Sequence, residues 1–277
     1  MAIFWPAMHS EIIANSNKKH SASQIGTLQI IITIVSALAP LIGGYYLEFV
    51  SLTSLLILSL IIIIIGSIPL LFAEDLKIKN HKYKYSDYIR LYKTPRFKTP
   101  FKAFFAEGIE GFLNMGFWPI LLYTLLSNNF LSLGSLFSFV SIVSVFLMVY
   151  FKKYIDNHPK RSILTKTSKL KSFGWILRIL VLTFSGILIY IVETITKLTN
   201  SVFGITFMSI FYNNAKNVNP MDYVILRELG IHSAKVIMGT ILLIVLYFFG
   251  DSKQVFSVLL AIGIVSAIYL GKLREEL

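Results

Sequence analysis

The sequence contains no cysteine, which removes disulfides, thiol nucleophiles and cysteine-based metal sites from consideration. It is also short of charge. Asp, Glu, Lys and Arg together make up 14% of its 277 residues, where a globular domain carries roughly a quarter. Acidic residues are the scarcer kind, 14 against 26 Lys and Arg. There is no glycine-rich phosphate loop, no H-E-x-x-H pair and no Ser/His/Asp set in a recognisable context. The five histidines (His9, His20, His81, His158 and His232) are scattered in or beside the polar segments rather than set at ligand spacing. These absences point away from an enzyme and imply no cofactor and no metal.

What the chain has in excess is apolar sequence: 55% of residues are hydrophobic and the mean hydropathy is +0.71. A bilayer-crossing helix needs about 20 such residues. Counted that way, eight spans emerge, at 26–49, 52–73, 103–127, 131–151, 173–192, 196–214, 233–250 and 254–271. The fifth and sixth are joined at "VETITKLTN" and are the least separated. "MAIFWPAM" at the start is apolar but too short to cross, and without a basic n-region or cleavage site it does not read as a signal peptide. The expected fold class is therefore an all-α polytopic membrane protein with about eight transmembrane helices.

The basic residues orient those helices. Of 26 Lys and Arg, 23 fall in the stretch to residue 25, in 74–102, 152–171 and 213–235, and in the tail from 271. All five segments lie on one side if eight spans alternate. Lys197 and Lys253 are left for the other side, and Arg178 falls within a span. Basic loops stay in the cytoplasm, which places both termini inside a cell (inner) membrane. The charge of +12 is then a topology signal that also attracts anionic headgroups of the lipid bilayer. No nucleic acid is expected as a partner.

Three parts follow: residues 1–73, a basic cytoplasmic loop at 74–102, and 103–277 with six spans. In the loop, "SDYIRLY" suits a short interfacial helix capped by Ser86 and Asp87, with Tyr88, Leu91 and Tyr92 toward lipid. Within the first span, "APLIGGYYLE" puts a proline and two glycines where a water-soluble helix would break. Membrane helices tolerate such residues. Small side chains also let two helices approach closely.

The order of spans, the basic middle loop and two local patterns resemble the major facilitator superfamily of secondary transporters, which has two six-helix halves. Residues 103–277 would be its C-terminal six-helix half. The first two spans would be the fifth and sixth helices of its N-terminal half, and "FWPAMHSEIIANSNKKHSASQIG" the end of the fourth and the loop after it. Gly26, Pro40, Gly43 and Gly44 match the spacing of the family's antiporter motif, with Val35 and Ala39 in place of glycines. The resemblance implies domain-interface packing there; the plain alternative is a packing kink without a transport role. "KKYIDNHPKR" resembles the family's cytoplasmic gate loop through Asp156, Lys160 and Arg161, while Lys152, Asn157 and Pro159 depart from it. By that analogy Asp156 would accept from N–H groups near Ser23 to Gly26. The alternative is an ordinary positive-inside loop.

Charges inside spans are functional candidates by default. Glu107 and Glu110 open the third span three residues apart, on one helical face; Asn114 continues that face and Tyr123 follows further out. The family resemblance implies that this helix and the sixth span, with Asn200 and Thr206, line a central cavity. Glu110 is then the candidate for coupling to a proton or cation, whereas Glu107 is equally suited to a hydrated vestibule and Asn200 and Thr206 to packing. Arg178 is expected to snorkel to the headgroups. Two functions remain open. One is a secondary active transporter of a small-molecule substrate by alternating access. The other is a non-transporting membrane protein, or a fragment that needs a partner for missing helices.

Overall fold

The computed structural model describes residues 4–72, 94–184 and 186–275. Among them every element is helical. In chain order these are α1 (Phe4–Asn15), α2 (Ser21–Phe49), α3 (Leu52–Ser67, followed by a 3-10 turn Ile68–Phe72), α4 (Pro95–Phe112), a π turn (Leu113–Phe117), α5 (Trp118–Leu125), α6 (Phe130–Asp156), α7 (Lys160–Val181), α8 (Ile187–Ala215), α9 (Pro220–Phe249) and α10 (Lys253–Leu270). Helices α2, α6, α9 and α10 are long and apolar enough to cross a membrane. Helix α3 is shorter, buries none of its residues and exposes an unbroken isoleucine run, Ile61 to Ile65. A surface this apolar is suited to lipid rather than water.

Two expected boundaries are corrected. The expected spans 173–192 and 196–214 are in fact helices Lys160–Val181 and Ile187–Ala215. Gly186, just before α8, takes φ +87°, and "VETITKLTN" is uninterrupted helix. Glu193 and Thr196 of this stretch are buried, while Thr194 and Thr199 bond to carbonyls of their own helix. Lys197 accordingly sits inside α8 and not in an outer loop. The helix expected to start at residue 103 begins at Pro95, whose missing N–H costs nothing in the first turn. The "SDYIRLY" segment and most of the 74–102 loop lie outside the described residues.

The seam between α2 and α6 organises one side of the molecule. The buried residues of α2 include Ala22, Gly26, Thr33, Ala37 and Gly44, small side chains set alternately four and seven residues apart. Helix α6 answers with Gly134, Ser138, Ser141, Ser144 and Met148. The approach is close enough that a Cβ on Gly134 would lie 2.2 Å from the Pro40 carbonyl oxygen, and one on Gly44 2.6 Å from that of Phe130. Gly26 is as tight, 2.5 Å from Lys152 Cβ. Gly43 is the exception among the four expected interface residues, with nothing within 4 Å. Pro40 leaves α2 continuous from Ser21 to Phe49.

Helices α4 and α9 cross through a second glycine contact. A Cβ on Gly108 would meet the Ile231 carbonyl at 2.4 Å, and one on Gly230 would meet Phe104 at 3.0 Å. Phe104 stands edge-on to Phe207, Phe211 and Tyr223 in one of the apolar clusters. Helix α7 packs on α10, where a Cβ on Gly263 would lie 2.5 Å from the Trp175 ring.

Gly134→Leu should force α2 off α6 and lower the stability of the detergent-solubilised protein by about 1–3 kcal/mol, the usual range for overpacking. Gly43→Ala should be neutral or stabilising by up to about 1 kcal/mol, since it gains helix propensity and meets nothing. Thermal unfolding of the two variants side by side checks this; equal effects would contradict the seam.

Candidate functional site

Four charged side chains meet where α4, α7 and α8 converge: Glu110, Lys171, Arg178 and Glu193. All are buried, with side-chain exposures between 5% and 9%. They form two pairs of similar design. Glu110 lies 3.0 Å from Lys171 Nζ and accepts a hydrogen bond from Trp175 Nε1 at 2.6 Å. Glu193 accepts from Arg178 through Nε at 3.0 Å and NH2 at 3.2 Å, and from Trp118 Nε1 at 2.9 Å. Each carboxylate thus has one cation and one indole donor.

Asn114 bridges the pairs. Its Nδ2 donates to Glu110 Oε2 at 2.7 Å, and its Oδ1 accepts from Arg178 NH1 at 2.5 Å. These partners settle the orientation of the amide, since a guanidinium only donates and a carboxylate only accepts. The guanidinium is sandwiched by Trp118 and Trp175 at 4.8 and 4.7 Å from the ring centres. Lys171 rests over Phe203 at 4.7 Å and donates to Asn200 Oδ1 at 2.7 Å. Two positive and two negative charges cancel, which is what burial demands of them.

The π turn at Leu113–Phe117 is part of the construction. An extra residue per turn rotates everything beyond it by about 100° relative to an unbroken α-helix. Asn114 also donates to the Glu110 backbone carbonyl at 3.0 Å, across the start of the wide turn. Tyr123 lies thirteen residues beyond Glu110, about 20 Å along the axis. Tyr123 instead stacks on Phe130 with ring centres 4.3 Å apart, at the far end of α5, and does not join the expected cavity face. Thr206 is fully buried and donates to the Val202 carbonyl of its own helix at 2.8 Å.

Glu107 and Glu110, expected on one face, turn to different neighbours. Glu107 is held by Arg227 of α9, through Nε at 3.0 Å and NH2 at 2.5 Å. Arg227 NH1 also donates to His9 Nε2 at 3.0 Å. With Nε2 accepting, the ring is neutral and Nδ1–H donates to the Tyr212 hydroxyl at 2.7 Å. His9, expected in a loop, is thus a buried residue of α1 docked on α8 and α9. Arg178, expected to snorkel, is buried against Glu193 because α7 and α8 form a hairpin that brings them together.

At the α2 end of the seam, Asp156 closes the gap between helices. Its Oδ1 accepts from Ala22 N and its Oδ2 from Ser23 N, both at 2.9 Å. These are first-turn N–H groups of α2, whose N-cap residue His20 makes no side-chain cap bond. A carboxylate there meets the positive end of the helix dipole. Lys152 Nζ donates to Thr27 Oγ1 at 2.9 Å, and Ser21 and Ser209 hydroxyls share a bond of 2.6 Å alongside. Lys160 pairs with Glu275 at 3.7 Å, while Arg161 is exposed on α7.

The cavity among Glu110, Asn114, Lys171, Arg178 and Asn200 measures about 10 Å³, room for about one water molecule. Lys171, Arg178, Glu193, Arg227 and His9 were not singled out as site residues from sequence. The available signal was Glu193 and Lys197, charges four apart within apolar sequence; reading them as a loop concealed it.

Two outcomes follow from this geometry. Glu193→Leu should destabilise by about 3–5 kcal/mol by stranding a buried guanidinium, and adding Arg178→Met should recover most of that loss in a double-mutant cycle. Burial, then the Arg227 charge, press His9 from its ordinary 6.5 down to about 3. Undocked α1 therefore takes up the proton first, and its docking weakens as pH falls below 6.5, by about 1.4 kcal/mol per unit until about pH 3. Thermal unfolding at descending pH should show that acid loss in the wild type and less of it in His9→Gln.

Comparison of the chain with family models, with curated proteins and with solved structures gives no match, so its site has to be interpreted from its own chemistry.

Proposed function

We propose that this chain is a secondary active transporter of a small solute, working by alternating access across the cell membrane in the manner of the major facilitator superfamily. On this reading α2, α3, α4 with α5, α6, α7, α8, α9 and α10 are eight spans, and both termini face the cytoplasm. The supporting observation is how α1 and α2 attach to the rest. Along its length α2 meets α6 through small apolar contacts, while the polar fastenings gather at one end: Asp156 on Ala22 and Ser23, Lys152 on Thr27, Ser21 on Ser209, and His9 on Arg227. Polar bonds at one end of a greasy seam exchange for water as that end opens, while the other end, near Pro40, Gly44 and Gly134, stays in contact. Such a seam is a rocking joint.

The Glu110–Lys171 pair is the coupling element in this proposal. Protonating Glu110 would cancel one charge of a balanced set of four and release Lys171 and Trp175, so a proton or cation at this site biases the bundle between states. Asn200 and Asn114 act with it; Glu107 and Arg227 belong to the cytoplasmic closure.

A non-transporting membrane protein is the second reading, and it too has support: the cavity is only about 10 Å³ and each charge in it is paired. In that case the network only braces the bundle. Reconstitution of the chain in proteoliposomes, screened for gradient-driven uptake, separates the two. A transporter should lose driven uptake in Glu110→Gln while keeping passive exchange. Asp156→Asn, which keeps size and removes charge, should change the rate without abolishing transport. Absence of uptake for all solutes, with Glu110→Gln altering only thermal stability, would leave the second reading.

A further inference from the structure

Helix α7 carries a feature that neither the seam nor the charge network uses. One side of it is buried, with Leu164, Thr167, Ser168, Trp175 and Arg178 toward α8 and α10. The opposite side changes character abruptly along its length. Its first half exposes Arg161, Lys166 and Lys169. Its second half exposes Leu170, Phe173, Ile176 and Leu180, each between 42% and 53% accessible. At about 100° per residue, Lys166, Lys169, Leu170, Phe173, Ile176 and Leu180 fall within about 120° of one face, with Arg161 at its edge.

An open groove of about 530 Å³ lies against the basic half, lined by Pro159, Arg161, Ser162, Thr165, Lys166 and Lys169. Among the described residues no carboxylate pairs with Lys166 or Lys169. Pro159 at the N-cap makes no side-chain cap bond, so first-turn N–H groups add partial positive charge to the same end.

We infer that this face of α7 binds one anionic phospholipid, with its phosphate in the groove beside Lys166 and Lys169 and its acyl chains along Leu170, Phe173, Ile176 and Leu180. The inference rests on the membrane reading of the chain but not on transport. Charge complementarity selects an anion, and the apolar stripe selects a lipid over free phosphate. The offset also fits: Lys166 and Leu170 are one helical turn apart, about 6 Å along the axis, so a headgroup at the first places the chains at the second. Two adjacent lysines at a membrane surface supply the preference for an anionic over a zwitterionic headgroup.

The test uses the full chain in detergent with a mixture of phosphatidylglycerol and phosphatidylcholine, and counts retained lipid by native mass spectrometry. The wild type should retain one phosphatidylglycerol in preference to phosphatidylcholine. Lys166→Gln/Lys169→Gln should weaken that retention roughly tenfold or more, without unfolding, because both side chains are exposed. Lys98→Gln/Lys102→Gln removes the same charge at the start of α4 and should leave retention unchanged. Equal loss in the two double variants would overturn the site in favour of diffuse attraction. Displacement of the lipid by excess inorganic phosphate would overturn it in favour of a simple anion site. Driven uptake without any lipid preference would defeat this inference and leave the proposed function standing.

Discussion

A charge inside an apolar bundle has to find its counter-charge within hydrogen-bonding reach, and the placement of α4, α7 and α8 depends on that requirement. Arg178 meets Glu193 at 3.0 Å, Asn114 at 2.5 Å and two indole faces. Moving any of the three helices by a turn would strand at least one ion at a cost of several kcal/mol. The π turn belongs to the same constraint. Its extra residue presents Asn114 and Trp118 toward the pair while Phe112 and Leu113 keep packing in the apolar interior. The wide turn is thus tied to a named set of partners, in line with the tendency of such turns to occur at functional positions.

Around that centre the molecule uses two kinds of contact with different mechanical consequences. The α2–α6 seam is dispersive, built from Ala22, Gly26, Ala37 and Gly44 against Gly134 and a row of serines. Its strength comes from close approach, and it tolerates rotation better than separation. The fastenings at the Asp156 end are polar and directional. Each replaces a bond to water, so their net contribution is smaller than their number suggests. His9 adds an asymmetry, since it fits its site only when neutral: Arg227 donates to one ring nitrogen and the other must donate to Tyr212. The docking of α1 is therefore tied to the proton concentration around it.

Helix α3 and the outer face of α2 stand apart from this. Leu38, Leu41, Ile57, Ile61 and Ile64 are all more than 40% exposed, and no polar group among them calls for a partner. Their role is set by solvent, and lipid satisfies it without specific contacts.

Composition and hydropathy alone determined much about this protein. Long apolar helices at 21–49, 130–156, 220–249 and 253–270 were legible because burial in lipid needs only length and hydrophobicity, which are local properties. The small residues of the α2 seam were legible for the same reason, with Gly43 misassigned because sequence does not say which side of a helix meets a neighbour. Glu110 and Asn114 were identifiable as charge and amide within apolar sequence. Their partners were not. Lys171 looked like a loop lysine, Arg178 like a snorkelling one, and Glu193 like part of a connection, because the turn at Gly186 leaves almost no mark in hydropathy. Only the tertiary structure decided which carboxylate holds which cation. A pair spanning Glu110 to Lys171, or His9 to Arg227, is fixed by helix packing across dozens to hundreds of residues, and helix packing is a property of the whole bundle that no local pattern encodes.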